Sequence, residues 1–388
     1  MTQRVVLPRI LETGPGTLQR LPDILSTLAC RNPLIVTDQV MMSLGYADRL
    51  TNILKTAGMT WGLFADTEPE PTENSLLPAV EQLRQGSFDA VVALGGGSAI
   101  DSAKAISVLG LHGGRMADYK VPRDVSEPAL PVVAIPTTAG TGSEATRFTI
   151  ITDGETDEKM LCMGLAFMPY AAIVDYELTL SVPARVTADT GIDALTHGIE
   201  AYVSRKAGPF SDQQALAAIA LIAPNLRRVY HNPEDRAARE AMMMGSTLAG
   251  IAFSNASVAL VHGMSRPIGA HVHGPHGLSN AMLRPAVTRF SLPGAPDRYA
   301  RCARAMGIAG AEDSDDTAND KLLAELRALN RELEVPSMAA FGIDETRFME
   351  LRQLMAEQAQ ASGSPGNNPR VPSQAEMVEL YEQVWNQE

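Results

Sequence analysis

The sequence predicts an α/β domain built on a parallel sheet, residues 1–181, joined to an all-helical domain, residues 182–388. Three observations carry this. Short apolar and β-branched runs alternate with helical stretches in the first half, the pattern of strands linked by crossover helices. One run, Phe88–Leu94, ends in Gly95-Gly96-Gly97-Ser98 and opens directly into a helical segment. After Ser181-Val182-Pro183 the alternation stops, and Ala- and Leu-rich stretches with helical spacing take over.

Composition narrows the function. A chain of 388 residues has room for about two domains. Its 45% hydrophobic and 20% charged residues are ordinary for a globular enzyme. A net charge of −13 argues against nucleic acid and against an anionic membrane surface, both of which call for basic patches. A phosphate-bearing cofactor is still compatible, because helix termini and loop amides bind phosphate without net positive charge. Cys30, Cys162 and Cys302 lie far apart and form no Cys-x-x-Cys, as expected of reduced packing residues in a cytoplasmic protein. The N-terminus lacks a signal-peptide core, and no apolar run approaches the ~20 residues of a membrane span.

In chain order, Val5–Ile10 with the following Thr-Gly-Pro-Gly reads as an edge strand and turn, and Leu18–Leu28 as a helix. Leu34–Thr37 reads as a buried strand ending at Asp38. An acid in that place either accepts from adenosine ribose hydroxyls, repelling a 2′-phosphate, or simply caps the next helix. Gly95–Ser98 lets backbone approach a phosphate at a helix N-terminus, and Ser98-x-x-Asp101 reads as a capping box. It is not the Gly-x-Gly-x-x-Gly fingerprint, and alone it is a weak signal. Strand Pro131–Pro136 leads into the small, hydroxyl-rich Thr137–Glu144, suited to line a pyrophosphate or nicotinamide or else only a polar loop. Arg147–Ile151 and Lys159-Met160 suggest a hairpin, and Ala172–Asp175 a last strand. In the second half, Thr187–Val203, Asp212–Val229, Arg236–Phe253, Lys321–Leu333 and Ala375–Trp385 read as helices.

The chemistry concentrates in Asp193-Ala-Leu-Thr-His197 and in a histidine cluster downstream. Residues four apart share a helix face, so Asp193 and His197 can aim a carboxylate and an imidazole at one point. Such a pair standing alone is more often incidental than a ligand pair. Here, however, His262, His271, His273 and His276 fall in one glycine-punctuated segment, with His262 on a helix and His276 on the turn after it. One carboxylate and three imidazoles suit Fe²⁺ or Zn²⁺ better than Ca²⁺ or Mg²⁺.

Taken together, Gly95–Lys104, Pro136–Glu144, Gly191–Tyr202, Phe253-Ser-Asn255, His262-Gly-Met264, Pro275-His-Gly277 and Asn368-Pro-Arg370 resemble the iron-containing (group III) alcohol dehydrogenases, in the dehydroquinate-synthase-like superfamily. The resemblance spans nearly the whole chain in the family's order. It implies NAD bound by the first domain, catalysis at the junction with the second, and a homodimer or larger assembly. It also implies Asp193, His197, His262 and His276 as catalytic ligands of Fe²⁺ or Zn²⁺. Gly95, Gly96, Gly97, Ser98 and Asp101, with Thr137, Thr138 and Thr141, are placed along the cofactor, and Asp38 and Lys159 also contact it. Phe148, Phe253 and Arg266 are placed beside a small alcohol or aldehyde.

Two departures stand out. Pro69-Glu70-Pro71-Thr72 replaces the common Pro-Asn-Pro-Thr, which changes the residue at one expected cofactor contact. Arg266 replaces a frequent fifth histidine and points either to an anionic substrate, such as succinic semialdehyde and 4-hydroxybutyrate, or to a local ion pair. Lactaldehyde or diol oxidoreduction is the alternative within the family, and maleylacetate reductase and dehydroquinate synthase are the more distant ones. His271 is the nearest candidate proton relay in sequence, though a structural role suits it better.

Overall fold

The computed structural model describes residues 4–272 and 274–386. The chain divides into two compact units, Val6–Ser181 and one made essentially of Val182–Glu388.

The first unit carries strands β1 (Ile10–Thr13), β2 (Pro33–Val36), β3 (Gly62–Phe64), β4 (Ala90–Gly95), β5 (Val132–Pro136), β6 (Phe148–Thr152), β7 (Lys159–Met163) and β8 (Ala171–Val174). Its helices are α1 (Leu21–Thr27), α2 (Gln39–Ser43), α3 (Tyr46–Thr56), α4 (Glu73–Gln85) and α5 (Gly97–His112). Six strands form one parallel sheet in the order β1-β8-β5-β4-β2-β3, while β6 and β7 pair as a hairpin. β2, β4, β5 and β8 are buried at every position, which is why they read as continuous apolar runs without alternation. One face packs Ile100, Ile106 and Leu109 of α5 with Leu76 and Leu83 of α4. The other packs Leu21 and Leu25 of α1 with Leu50 and Leu54 of α3.

The strand order reverses between β2 and β4. In an open α/β sheet, ligands bind outside the carboxyl ends of the strands at such a reversal. The residues there are Asp38, just after β2, and Gly95–Gly97, at the end of β4. Two details differ from expectation. The first strand is Ile10–Thr13 rather than Val5–Ile10, because its backbone partners on β8 begin opposite Ile10. Helices α3 and α4 had no counterpart in the sequence reading.

The second unit is helical. It contains α6 (Ala184–Val203), α7 (Pro209–His231), α8 (Arg236–Ala256), α9 (Leu260–Val272) and α10 (His276–Ser291). It continues with α11 (Pro296–Ala305), α12 (Asp315–Glu332), α13 (Met338–Phe341), α14 (Glu345–Ala361) and α15 (Gln374–Trp385). α6 is buried almost all round from Gly191 to Val203, so its polar residues must find partners inside the protein. Leu322, Leu326 and Leu329 form the buried stripe of α12. Among the described residues no single helix is long and apolar enough to cross a membrane; α8 and α9 pass only as a pair bent by 102°. All three cysteines are buried and unpaired with one another.

Candidate active site

The glycine turn joins β4 to α5. Gly96 is the N-cap residue of α5, and no side chain caps that end, so the first-turn amides are left to a ligand or solvent. The expected capping box is not formed. The helix starts at Gly97, which places Ser98 inside the first turn and Asp101 beyond it. Ser98 Oγ instead accepts from Glu70 N at 3.3 Å. Asp101 accepts from Ser143 Oγ at 2.6 Å and from Ile150 N at 2.9 Å, tying α5 to the loop after β5 and to the hairpin. A Cβ on Gly97 would lie 2.7 Å from Thr141 Cγ2, so any side chain there would push Thr141 off the turn. Thr138 lies beside Gly96, where a Cβ would make only ordinary contact with its hydroxyl at 3.6 Å. Thr137 follows on directly, buried, with its amide on Gly95 O.

Asp38 does two things. Its Oδ1 accepts from Met41 N at 2.9 Å, capping α2, while its Oδ2 would lie 3.2 Å from a Cβ on Gly95. The cap and the position at the glycine turn are therefore one geometry. Lys159 is ion-paired with Glu70, Nζ to Oε1 at 2.7 Å, so the residue that departs from the common motif engages the expected cofactor lysine. Lys104 is fully buried, with Nζ donating to Ser143 Oγ, Thr146 O and Phe148 O. Burial presses its pKa down to about 8, against the opposing pull of Asp101 and Glu144. Phe148 thus enters the α/β unit's polar network through its carbonyl.

In the helical unit, Asp193 lies in the buried middle of α6, His262 in the first turn of α9, and His276 at the first residue of α10. One ligand atom from each lies within 4.8 Å of the other two. His262 Nε2 is 3.2 Å, and His276 Nε2 3.8 Å, from Asp193 Oδ1. His197 stands beside the three, its Nε2 3.9 Å from the same oxygen, with its ring stacked between Phe253 and His262 at 4.3 and 4.4 Å. Gly277 makes the convergence possible. A Cβ there would lie 2.4 Å from Asp189 O, so only glycine lets the start of α10 rest on α6.

Although burial opposes ionisation, the three imidazoles hold the Asp193 carboxyl well below the usual carboxylate range. Burial likewise opposes charge on His262, but its bonds to Asp193 and Glu200 lift its pKa to about 9. A positive charge is favoured at the point these groups share.

Two residues missed by the sequence reading complete the cluster. Glu200, two turns after Asp193 on α6, accepts from His262 Nδ1 at 2.6 Å. Asn280, one turn after His276, sends Nδ2 to Asp193 Oδ1 at 2.7 Å and within 3.2 Å of His262 Nε2 and His276 Nε2. Both sit at helical spacing from an expected ligand, the one signal that marks them in the sequence.

Arg266 lies one turn after His262. Its Nη1 donates to Ser364 Oγ at 3.0 Å, while its Nε is buried and finds no acceptor among the described residues. Burial presses its pKa down to about 10, with Glu200 opposing. No carboxylate of the described residues forms an ion pair with it. His271 bonds Gln358 Oε1 at 2.7 Å through Nε2, and His273 lies outside the described residues.

Comparison with known proteins places this architecture. Residues 8–176 match the family described as iron-containing alcohol dehydrogenase, and residues 187–385 match the C-terminal part of the Fe-containing alcohol dehydrogenase family. Long-chain-alcohol dehydrogenase 1 of Geobacillus thermodenitrificans is 38% identical over 98% of this chain and 96% of its own length. Among solved structures, a 1,3-propanediol oxidoreductase superposes with a TM-score of 0.94 at 34% identity, covering 99% of this chain and 100% of that one. The sulfoacetaldehyde reductase of Bifidobacterium kashiwanohense, in complex with NAD⁺, superposes at 0.89 with 27% identity over the whole of both chains. An oxidoreductase acting on CH–OH groups, the chain belongs to the iron-containing alcohol dehydrogenase family.

Proposed function

We propose that the protein interconverts a small primary alcohol and its aldehyde, using NAD(H) and one divalent cation, Fe²⁺ or Zn²⁺, held by Asp193, His197, His262 and His276. The observation that carries this reading is the meeting of Asp193 Oδ1, His262 Nε2 and His276 Nε2 inside 4.8 Å. The donor set fits such a cation. With His262 Nδ1 bound to a carboxylate, its Nε2 faces Asp193 Oδ1 at 3.2 Å, a place that takes a proton or, in its stead, a cation.

When bound, the cation supplies Lewis-acid stabilisation of negative charge on the substrate oxygen, and the nicotinamide supplies the acceptor or donor of hydride. The chain's own residues do the rest. With a single carboxylate and neutral imidazoles, the ligand set leaves net positive charge where the oxygen must become anionic. Asp193 and His262 are almost fully buried, and Phe253 covers the His197 ring, so water is kept from one side. His276 is 33% exposed and marks the side open to substrate. In the other unit, the uncapped amides of α5, together with Thr137, Thr138 and Thr141, suit a pyrophosphate, and Asp38 disfavours a 2′-phosphate. Asp101 contributes by fixing the loop that bears Thr141.

Arg266 directs the substrate choice toward an aldehyde with a distal carboxylate or sulfonate, since a guanidinium with an unused buried N–H favours an anion. The sulfoacetaldehyde reductase among the similar structures is named for a substrate of that class. Assembly as a cytoplasmic homodimer or larger oligomer belongs to the same reading. The test is an anaerobic NADH-oxidation screen with added Fe²⁺ or Zn²⁺, comparing succinic semialdehyde with butyraldehyde. The wild type should favour the acid in kcat/KM, and Arg266→Ala should abolish that preference. Equal use of both aldehydes by the wild type would leave a neutral alcohol or diol as the substrate class.

A further inference from the structure

We propose that Glu200 is a positioning residue of the cation site, one that keeps the proton of His262 on Nδ1 and so leaves Nε2, the nitrogen facing Asp193, open to the cation. The proposal rests on the ligand reading above and adds to it a residue that touches neither cation nor substrate.

Glu200 lies on the same stripe of α6 as Asp193 and His197, and its side chain is 5% exposed. It faces the break between α8 and α9. There Ser257 adopts φ 68, and the side-chain amide of Asn367 pins Ser257 Oγ and Val258 O, each at 3.0 Å. The break leaves amides at the start of α9 and just before it without helical partners, and two of them go to Glu200. Val261 N donates to Oε1 at 2.6 Å and Ala259 N to Oε2 at 2.9 Å. The third donor is His262 Nδ1, 2.6 Å from Oε2. One buried carboxylate thus caps α9 and fixes the ring carried in that helix's first turn.

All three partners are N–H donors, which only a carboxylate satisfies together. Glutamine of the same length offers one acceptor and one amide group that donates. With the amide nitrogen in the Oε1 place it opposes Val261 N; in the Oε2 place it opposes both Ala259 N and His262 Nδ1. The two backbone amides cannot change. His262 can, by moving its proton from Nδ1 to Nε2, the atom that faces Asp193 at 3.2 Å. A proton on that nitrogen excludes a cation from it. A carboxylate behind a ligating imidazole affects metal affinity by about 10–100-fold.

The experiment is a Zn²⁺ titration of the metal-free full chain against a competing chelator, for wild type, Glu200→Gln and His262→Ala. The expected result is one tight Zn²⁺ per wild-type chain, affinity weakened about 10–100-fold in Glu200→Gln, and a larger loss in His262→Ala. Equal affinity in Glu200→Gln and wild type overturns the proposal and leaves the ligand reading standing. A wild type that binds no Zn²⁺, or that His262→Ala does not weaken, overturns the ligand reading and the proposal with it. If Glu200→Gln does not fold, ¹⁵N-histidine NMR of the Zn²⁺-loaded wild type decides, with the His262 signal assigned by its loss in His262→Gln. Metal on Nε2 with a proton on Nδ1 supports the proposal; the reverse arrangement sinks it.

Discussion

Asn280 Nδ2 meets Asp193 Oδ1 at 2.7 Å, linking the start of α10 to the middle of α6 through two side chains that are both buried. The same nitrogen lies 3.2 Å from His262 Nε2 and from His276 Nε2, while Asn280 Oδ1 is buried with no partner among the described residues. The amide stands where Asp193 Oδ1, His262 Nε2 and His276 Nε2 converge and holds the carboxylate in place.

Replacing Asn280 by aspartate should therefore separate the metal-free and metal-loaded proteins. Two buried carboxylates in contact destabilise the fold, and a cation between them removes the repulsion. Thermal unfolding of Asn280→Asp should begin well below wild type without metal, and added Zn²⁺ should recover more of the difference than it adds to wild type. An equal Zn²⁺ increment in both proteins would place Asn280 outside the cation's reach.

Asp38 combines a helix cap with a charge at the glycine turn, and two substitutions separate them. Asn keeps the acceptor for Met41 N, so Asp38→Asn should leave stability near wild type, whereas Asp38→Ala should lose about 1 kcal/mol. Both remove the charge, so both should raise kcat/KM with NADPH relative to NADH. Unchanged cofactor preference in Asp38→Asn would reduce Asp38 to a cap.

Lys104 sets a pH dependence of the fold. Its pKa is about 8 folded, against an ordinary 10.5 unfolded, so the folded state binds fewer protons between those values. Stability from this group therefore rises as pH climbs from about 8 toward 10.5, and the cost of burying the charge is in full force below about 8. The slope is at most about 1.4 kcal/mol per pH unit. Urea unfolding of wild type and Lys104→Met across pH 7–10 isolates it. The wild-type stability should rise relative to the variant above pH 8, and a constant difference would show that Lys104 keeps its proton throughout.

Much of this was readable in the chain because it is local. β2, β4, β5 and β8 are short apolar runs bounded by turns, and Gly95–Gly97 at the end of one of them announces a close backbone approach. α6, α7 and α8 carry their helical spacing openly. What escaped depends on distant partners. Ser98 and Asp101 have capping-box spacing, yet Ser143 and Ile150, more than 40 residues on, claim the carboxylate. Glu200 has the right spacing from Asp193, but nothing in α6 alone distinguishes it from any other buried acid.

The sequence by itself determined the kinds of donor present, one carboxylate and several imidazoles, and the helix stripe that pairs Asp193 with His197. It also determined a glycine turn able to accept a phosphate. Only the tertiary structure decided that α9 and α10 bring His262 and His276 to the same oxygen. That convergence comes from the contact of Gly277 with α6 and the helix break at Ser257, and from Glu200, which fixes by hydrogen bonding which nitrogen of His262 is offered. Spacing along a chain specifies a helix face, but the meeting of three helices depends on how closely their backbones can approach.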